Sequence, residues 1–359
     1  MAIRGCRAAV FAALLVGNFE FVTQHAKAQM QAADGYRPSA ACTGSDAFSR
    51  RVEFADSARA AHILGHRDAW ARQLSDFDLG VRQKTTAPTS LREFLAFAAD
   101  AGLSWTAQEQ AGWKTLVEKL SGAMSGLNLH VPNIELVKTT GEEEFNAPYT
   151  RASAIMLPQA RASRPVTNPR GAYFLLAHEV FHVLSRADHH LRDELYALLG
   201  FKLVRGFEYP AELEERRASN PDAFEYLHAL TVQTAVGSAD VLPVNQSRVP
   251  LSEAIQLPNF FAALDIVLLS VDPSTGKVRR DVDGNLIRHN FGDTNWVALM
   301  MRNSSFIIHP EEVLAENFAT LMEWRSEGVL QPINAVGFAI NDVKLLVAMQ
   351  NVLAGNCHQ

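Results

Sequence analysis

The stretch Ala177-His178-Glu179-Val180-Phe181-His182-Val183 constrains this chain most, because two histidines stand four residues apart among apolar residues. Residues four apart share one face of an α-helix, so both imidazoles would point at a spot about one turn tall. Glu179 lies one residue further round, where it could reach a metal-associated water without being a ligand. The stretch therefore predicts a helix that carries two zinc ligands, His178 and His182, and a catalytic acid/base, Glu179. The alternative is an ordinary pair of helix histidines with no zinc.

The context of this stretch favours a firmly anchored helix. Asn168 offers an N-cap, and Pro169 follows at the first helical position, where its missing N–H costs nothing. Apolar residues then recur at helical spacing and would pack the helix into a core: Phe174, Ala177, Phe181 and Leu184. Such anchoring holds metal ligands in place.

A catalytic zinc ion needs three protein ligands and an open position, so a third ligand must come from elsewhere. The strongest candidate is Glu312, in His309-Pro310-Glu311-Glu312-Val313-Leu314-Ala315-Glu316. Glu316 lies one turn further along the same predicted face, where it could bond the far nitrogen of a ligating histidine. Two glutamates after a proline also suit an ordinary helix start. Other residues stay open as third ligand: Asp188, His189, Glu194, Glu208, Glu225, His228 and Glu311.

The two motifs, HExxH at 178–182 and E-x-x-A-E-x-F-A at 312–319, together resemble the gluzincin branch of zinc metallopeptidases. The second motif is similar to the corresponding helix of anthrax lethal factor and its relatives. The resemblance implies that His178, His182 and Glu312 bind one Zn²⁺ ion, that Glu179 is the acid/base and that Glu316 supports a ligating histidine. It also implies a zincin-like α+β fold and hydrolysis of peptide bonds. About 130 residues separate His182 from Glu312, more than in compact members.

The order of predicted elements gives a domain organisation. Residues 29–126 are predicted to be a helical N-terminal region, with capping boxes at Ser90 and Thr106 and with helical spacing through residues 48–74. Residues 127–359 would form the zincin-like domain, with a large insertion at about 190–300. Extended segments are expected at 129–132, 133–138 and 147–157, a turn at 188–190 and helices at 191–201 and 221–231. The strand at 147–157 is a candidate for pairing with an extended peptide substrate.

The N-terminus has the pattern of a signal peptide over residues 1–28. Arg4 and Arg7 precede a short apolar run, and Ala26-Lys27-Ala28 matches a cleavage signal, so an exported (periplasmic or secreted) protein is expected. Cys42 and Cys357 would remain after cleavage near Ala28, and in an oxidising compartment they could form a disulfide. Two free buried thiols are the alternative.

Charge and composition limit the partners. The formal net charge of -6 argues against a general nucleic-acid binder, and the apolar run near the N-terminus is too short to span a membrane. A peptide or protein substrate is expected instead. The alternative function is a non-catalytic, zinc-containing envelope binding protein built on a peptidase scaffold.

Overall fold

The structure, a computed structural model, describes residues 48–257 and 260–355. In these ranges nine helices of five residues or more accompany two five-stranded sheets. The helices are α1 (Ser57–Leu64), α2 (Asp76–Arg82), α3 (Leu91–Asp100), α4 (Ala107–Met124), α5 (Pro169–Ala187), α6 (His189–Ala197), α7 (Trp296–Met300), α8 (Pro310–Glu327) and α9 (Val343–Ala354). Single-turn helices cover Gln159–Ala162, Arg164–Thr167, Ala211–Glu214 and Leu251–Ala254. Short 3-10 turns cover Phe48–Arg51, Ala71–Gln73, Glu142–Glu144, Phe260–Ala262 and Phe291–Asp293. The fold is therefore α+β.

The first sheet lies directly before α5 in the chain, and α5 carries the HExxH stretch. Its strands are β1 (Val52–Phe54), β2 (Gly102–Leu103), β3 (Ile134–Thr139), β4 (Tyr149–Arg151) and β5 (Ala154–Pro158). β3 runs parallel to β1 and β5, while β4 is antiparallel to β5 and forms one edge of the sheet. An edge strand keeps backbone donors and acceptors on its outer side.

Helices cover both faces of this sheet. Leu136 and Ile155 face a core that contains residues of α4, α5 and α8, whereas Val137 and Met156 face a second core formed with α1 and α3. This alternation follows from the two-residue period of a strand. Residues 48–126 share this sheet and both cores with the residues beyond 127. The domain boundary at 126 stays a prediction.

The second sheet is antiparallel and lies within the segment predicted as a large insertion. Its order is β10-β9-β8-β7-β6, and its strands are β6 (Phe201–Leu203), β7 (His228–Thr234), β8 (Gly237–Ser247), β9 (Leu264–Ser270) and β10 (Arg288–His289). One face, which includes Leu242 and Val244, forms a small core of its own. The other face, which includes Val232 and Val241, joins the core of α5 and α8.

Several local predictions were wrong, for reasons of tertiary structure. Within 48–74, residues 52–54 form β1 because they pair with β3. The single strand expected at 147–157 is a hairpin of β4 and β5 that reverses at Ala152, whose φ is +49°. Residues 129–132 form no strand, and 188–190 is the start of α6 rather than a turn. The helix expected at 221–231 is absent. Residues 221–227 are irregular and contact Thr150 and Arg192, and residues 228–231 belong to β7, which pairs with β6 and β8.

Other sequence predictions concern caps and termini. The capping boxes at Ser90 and Thr106 are confirmed, with Glu93 and Glu109 at their third positions. The signal peptide at 1–28 and the cysteines Cys42 and Cys357 lie outside the described residues. Within 48–257 and 260–355, no helix combines the length and apolarity that crossing a membrane requires.

Candidate metal centre

Helix α5 forms as the sequence predicts and presents both histidines on one face. The Asn168 side chain caps it by accepting the N–H of Gly171 at 3.0 Å. The residues predicted to anchor it, Phe174, Ala177, Phe181 and Leu184, are all buried. The imidazole centroids of His178 and His182 are 4.8 Å apart.

Helix α8 packs against α5 and brings Glu312 to the two histidines. It begins at Pro310 after an N-cap at His309, whose Nδ1 accepts the N–H of Glu311 at 3.2 Å. The Glu312 Oε2 atom lies 3.4 Å from His178 Nε2 and 3.7 Å from His182 Nε2. The three side chains predicted as ligands therefore meet, although Glu312 is about 130 residues distant in sequence from His182.

These separations suit a tetrahedral zinc site. Zinc binds nitrogen and oxygen ligands at about 2.0 to 2.2 Å, so neighbouring ligand atoms on a tetrahedron lie about 3.3 to 3.6 Å apart. The two measured distances from Glu312 Oε2, 3.4 and 3.7 Å, are close to that range. Two imidazoles and one carboxylate are also a donor set that catalytic zinc sites use. The residues present fit the ion.

The carboxylate of Glu312 is oriented by a residue that the sequence did not indicate. Asn220 donates its Nδ2–H to Glu312 Oε1 at 2.7 Å, which leaves Oε2 facing the histidines. Although burial opposes it, the contacts with His178 and His182 lower the pKa of Glu312 to about 2. Glu312 is therefore ionised, as a metal ligand must be.

Glu311 supports His182 from the side away from Glu312. Its Oε1 lies 2.9 Å from His182 Nδ1, and its Oε2 accepts hydrogen bonds from Ser185 Oγ at 2.8 Å and Tyr196 OH at 2.6 Å. With Nε2 facing Glu312, Nδ1 is the nitrogen that can donate to Glu311. Such a carboxylate fixes the tautomer and orientation of a ligating histidine and raises its basicity.

The sequence assigned this supporting role to Glu316, which lies in a different environment. Its carboxylate is buried, accepts a hydrogen bond from Ser304 and lies close enough to His178 for the two charges to interact. Within the described residues its Oε2 has no hydrogen-bond partner. That Glu316 accepts a hydrogen bond from a candidate zinc-binding histidine stays a prediction. Glu311 is the glutamate in contact with such a histidine, His182.

Glu179 lies beside the three candidate ligands, buried and incompletely bonded. Its Oε2 has no hydrogen-bond partner among the described residues, and its carboxylate shares a cluster with His182 and Asp222 in which candidate ligand atoms all lie within 4.8 Å of one another. Burial and the charge of Asp222 raise the pKa of the Glu179 carboxyl to about 8. Although burial opposes it, the surrounding carboxylates raise the pKa of His182 to about 10. This excess of buried negative charge is one that a divalent cation would neutralise.

The alternative third ligands lie apart from this cluster or face other partners. Asp188 caps α6, and Glu225 pairs with Arg192. His228 bonds Asp193 at 2.7 Å. His189, Glu194 and Glu208 are exposed.

Sequence reasoning missed the contributions of Asp222, Asn220, Ser185 and Tyr196. Ser185 lies about one turn after His182 on α5 and could have been tested as a partner for a carboxylate, whereas Tyr196 lies on the next helix, α6, and gave no such signal. Asn220 and Asp222 gave no signal, because they reach the site through tertiary structure alone.

Comparison with known proteins gives no match: no family model, no curated protein and no solved structure matches this chain.

Proposed function

We propose that this protein is a zinc-dependent peptidase in which Glu179 is the catalytic acid/base. The observation that carries the proposal is the convergence of His178, His182 and Glu312 on one point at distances that suit zinc. The partner carboxylate of Glu311 and the orphaned oxygen of Glu179 support it further. The resemblance to gluzincins leads to the same proposal, including a zincin-like catalytic fold.

Zinc, when bound, supplies a Lewis acid that polarises the scissile carbonyl and lowers the pKa of water. Glu179 then takes a proton from the attacking water and delivers it to the leaving amine. Glu179 is buried with one carboxylate oxygen left without a hydrogen-bond partner among the described residues, so that oxygen is free to accept the proton and hold it between the two transfers. The fixed orientations of His182 and Glu312, set by Glu311 and Asn220, keep the site ready for this chemistry.

The substrate we propose is a peptide or protein bound in extended form along β4. β4 is the edge strand of the first sheet, and it is followed by β5 and then by the metal helix. Backbone pairing at such an edge accepts many sequences, since it uses main-chain groups only. The expected export signal at residues 1–28 would place this activity outside the cytoplasm.

The test combines metal analysis with a peptide-library digest. Wild-type protein should contain one zinc ion per chain and hydrolyse peptides in a reaction that a chelator stops. Glu179→Gln should keep the zinc and lose the hydrolysis. Glu194→Gln is the matched control, because Glu194 is an exposed glutamate on α6, and it should keep both. Hydrolysis that survives in Glu179→Gln would rule out the proposed mechanism.

A second candidate function is favoured by one observation. Asp222 forms a second possible metal-binding group with Glu179 and His182, and His182 is shared with the first group. Structural zinc sites are closed by four ligands, which a site that drew on both groups could supply. On this view the protein is a zinc-containing binding protein without catalysis. Zinc bound in wild type and in every variant that retains the three ligands, with no peptide cleaved by any of them, would favour this second function.

A further inference from the structure

Ser219–Glu225, here called the cleft segment, lies against the candidate metal centre. Asn220 bonds Glu312, and the Asp222 carboxylate lies in a cluster with His182 and Glu179. The Asp222 side chain is only 9 % exposed. The segment therefore contacts one proposed ligand, Glu312, and places a buried carboxylate next to His182 and Glu179.

The cleft segment also occupies the outer edge of β4. Asp222 Oδ1 accepts the N–H of Thr150 at 2.7 Å and the Thr150 hydroxyl at 2.5 Å. Arg186 binds the carbonyl oxygens of Ala152 and Pro221, at 2.9 and 3.1 Å, and so ties the segment to the strand. A peptide that paired with β4 would need the Thr150 N–H, which Asp222 now takes.

Buried polar contacts anchor the start of this segment. Asp78 accepts both the N–H and the hydroxyl of Ser219 at 2.8 Å, and Arg82 donates to the Ser219 carbonyl at 3.0 Å. At the far end, Glu225 pairs with Arg192 on α6 at 2.5 Å. The middle of the segment, by contrast, is held by contacts with β4, α5 and the centre itself.

A small cavity of about 20 Å³ lies between the cleft segment and the side of His182 that faces Glu311. Asp222, Phe224 and Glu225 wall it on one side, and Tyr196 and Glu311 on another. The segment is therefore packed closely against the residues that support His182.

We propose that the cleft segment is a built-in inhibitor, which holds the substrate's place on β4 and presents Asp222 to zinc as a fourth ligand. The inference rests on the proposed function and adds a mode of regulation to it. Displacement of the segment would free the Thr150 N–H for an incoming peptide and one zinc coordination position for water. Its anchors at Ser219 and Glu225 lie outside the ligand cluster, so the middle of the segment can move while both ends stay attached.

The test measures zinc affinity, local exchange and hydrolysis in Asp222→Ala and Asp222→Asn. Asp222→Asn keeps an oxygen for the Thr150 N–H, so it separates loss of the ligand from loss of the strand contact. Asp283→Asn is the matched control, because Asp283 is an exposed aspartate outside the cleft segment. Zinc affinity, measured by competition with a chromophoric chelator, should fall about tenfold or more in both Asp222 variants. It should be unchanged in Asp283→Asn.

Hydrogen exchange and turnover complete the test. Zinc should slow amide exchange of residues 219–225 in wild type and in Asp283→Asn, but not in Asp222→Ala. At saturating zinc, Asp222→Ala should hydrolyse peptides faster than wild type. Wild-type zinc affinity in both Asp222 variants, together with no effect of zinc on exchange in the segment, would overturn the inference whatever the turnover.

The two proposals can fail separately. If affinity and exchange behave as expected while neither wild type nor Asp222→Ala hydrolyses any peptide, the fourth-ligand assignment is supported and the peptidase proposal is overturned. If wild type hydrolyses peptides and Asp222→Ala changes neither affinity, exchange nor rate, the peptidase proposal is supported and the inhibitor is overturned.

Discussion

Replacing Glu311 by glutamine probes how the protein holds a zinc ligand without touching the ligand itself. Glu311 accepts three hydrogen bonds, from His182 Nδ1, Ser185 Oγ and Tyr196 OH, all within 2.6 to 2.9 Å. Glutamine has the same shape but one acceptor oxygen and no charge. At least one of the three donors must therefore reorient or lose its partner, and His182 loses an anionic acceptor.

The expected cost follows from the role of such partners. Mutating a residue that orients a ligating histidine typically weakens metal binding about 10-fold to 100-fold. Since each tenfold change corresponds to about 1.4 kcal/mol, the binding free energy should fall by about 1.4 to 2.8 kcal/mol. Competition with a chromophoric chelator at fixed pH measures this directly, and circular dichroism checks that the fold is kept.

Glu316→Gln is the matched comparison, since Glu316 is a buried glutamate on the same helix and is the residue to which the sequence gave this role. Because Glu316 Oε2 has no hydrogen-bond partner in the described residues, its loss should weaken zinc binding less than the loss of Glu311. A larger effect in Glu316→Gln, or wild-type affinity in Glu311→Gln, would refute the assignment of Glu311.

Three further predictions follow from the same geometry. Free zinc at about 100 times its Kd should stabilise the protein by about 2.7 kcal/mol. Calorimetry should therefore show a higher Tm for the protein with zinc than for the protein with chelator, and His178→Ala should remove this difference. Burial lowers the pKa of His309 to about 4, below its unfolded value of about 6.5. Its neutral ring therefore stabilises the fold above pH 6.5, and this contribution is lost as the pH falls toward 4. His309→Asn keeps an N-cap residue but has no titrating ring. Between pH 6.5 and pH 4, its free energy of unfolding should fall less than that of wild type, as measured by denaturant titration of the metal-free protein. An equal fall in both proteins would contradict the reasoning. Arg82→Met should lower the free energy of unfolding by about 3 to 5 kcal/mol in the same assay, because it leaves the carboxylates of Asp78 and Glu144 buried without their shared cation. A loss under about 1 kcal/mol would contradict the two buried ion pairs.

The parts of the fold that depend on local sequence could be predicted. The side chains of Asn168, Ser90 and Thr106 each cap a helix by accepting the backbone N–H three residues further along the chain. Because both partners are close in sequence, the sequence alone predicts these caps. The helical spacing of His178 and His182 is local in the same sense. Such signals located the metal helix and its two histidines.

Features that depend on distant contacts were predicted poorly. β1 was taken for helix because its pairing with β3 involves residues about 80 positions away. The segment at 221–231 was also taken for helix, although its beginning is irregular and contacts Thr150, Arg186 and Arg192, and its end pairs within the second sheet as part of β7. Tertiary contacts of this kind override local propensity.

The choice between Glu311 and Glu312 shows a second limit. Adjacent residues on a helix point about 100° apart, so one of the pair can face the histidines while the other reaches behind them. The sequence could nominate both but could not reveal that Ser185 and Tyr196 would gather around Glu311. Asp222 was missed because it lies in an irregular segment. Such a segment has no periodicity or motif from which its position beside α5 could be predicted.

The most direct test is a crystal structure of zinc-loaded protein with anomalous data collected on both sides of the zinc absorption edge. The account predicts one anomalous peak per chain, about 2.0 to 2.2 Å from Nε2 of His178, Nε2 of His182 and a carboxylate oxygen of Glu312. A peak held by other residues, or no peak at this position under saturating zinc, would contradict it.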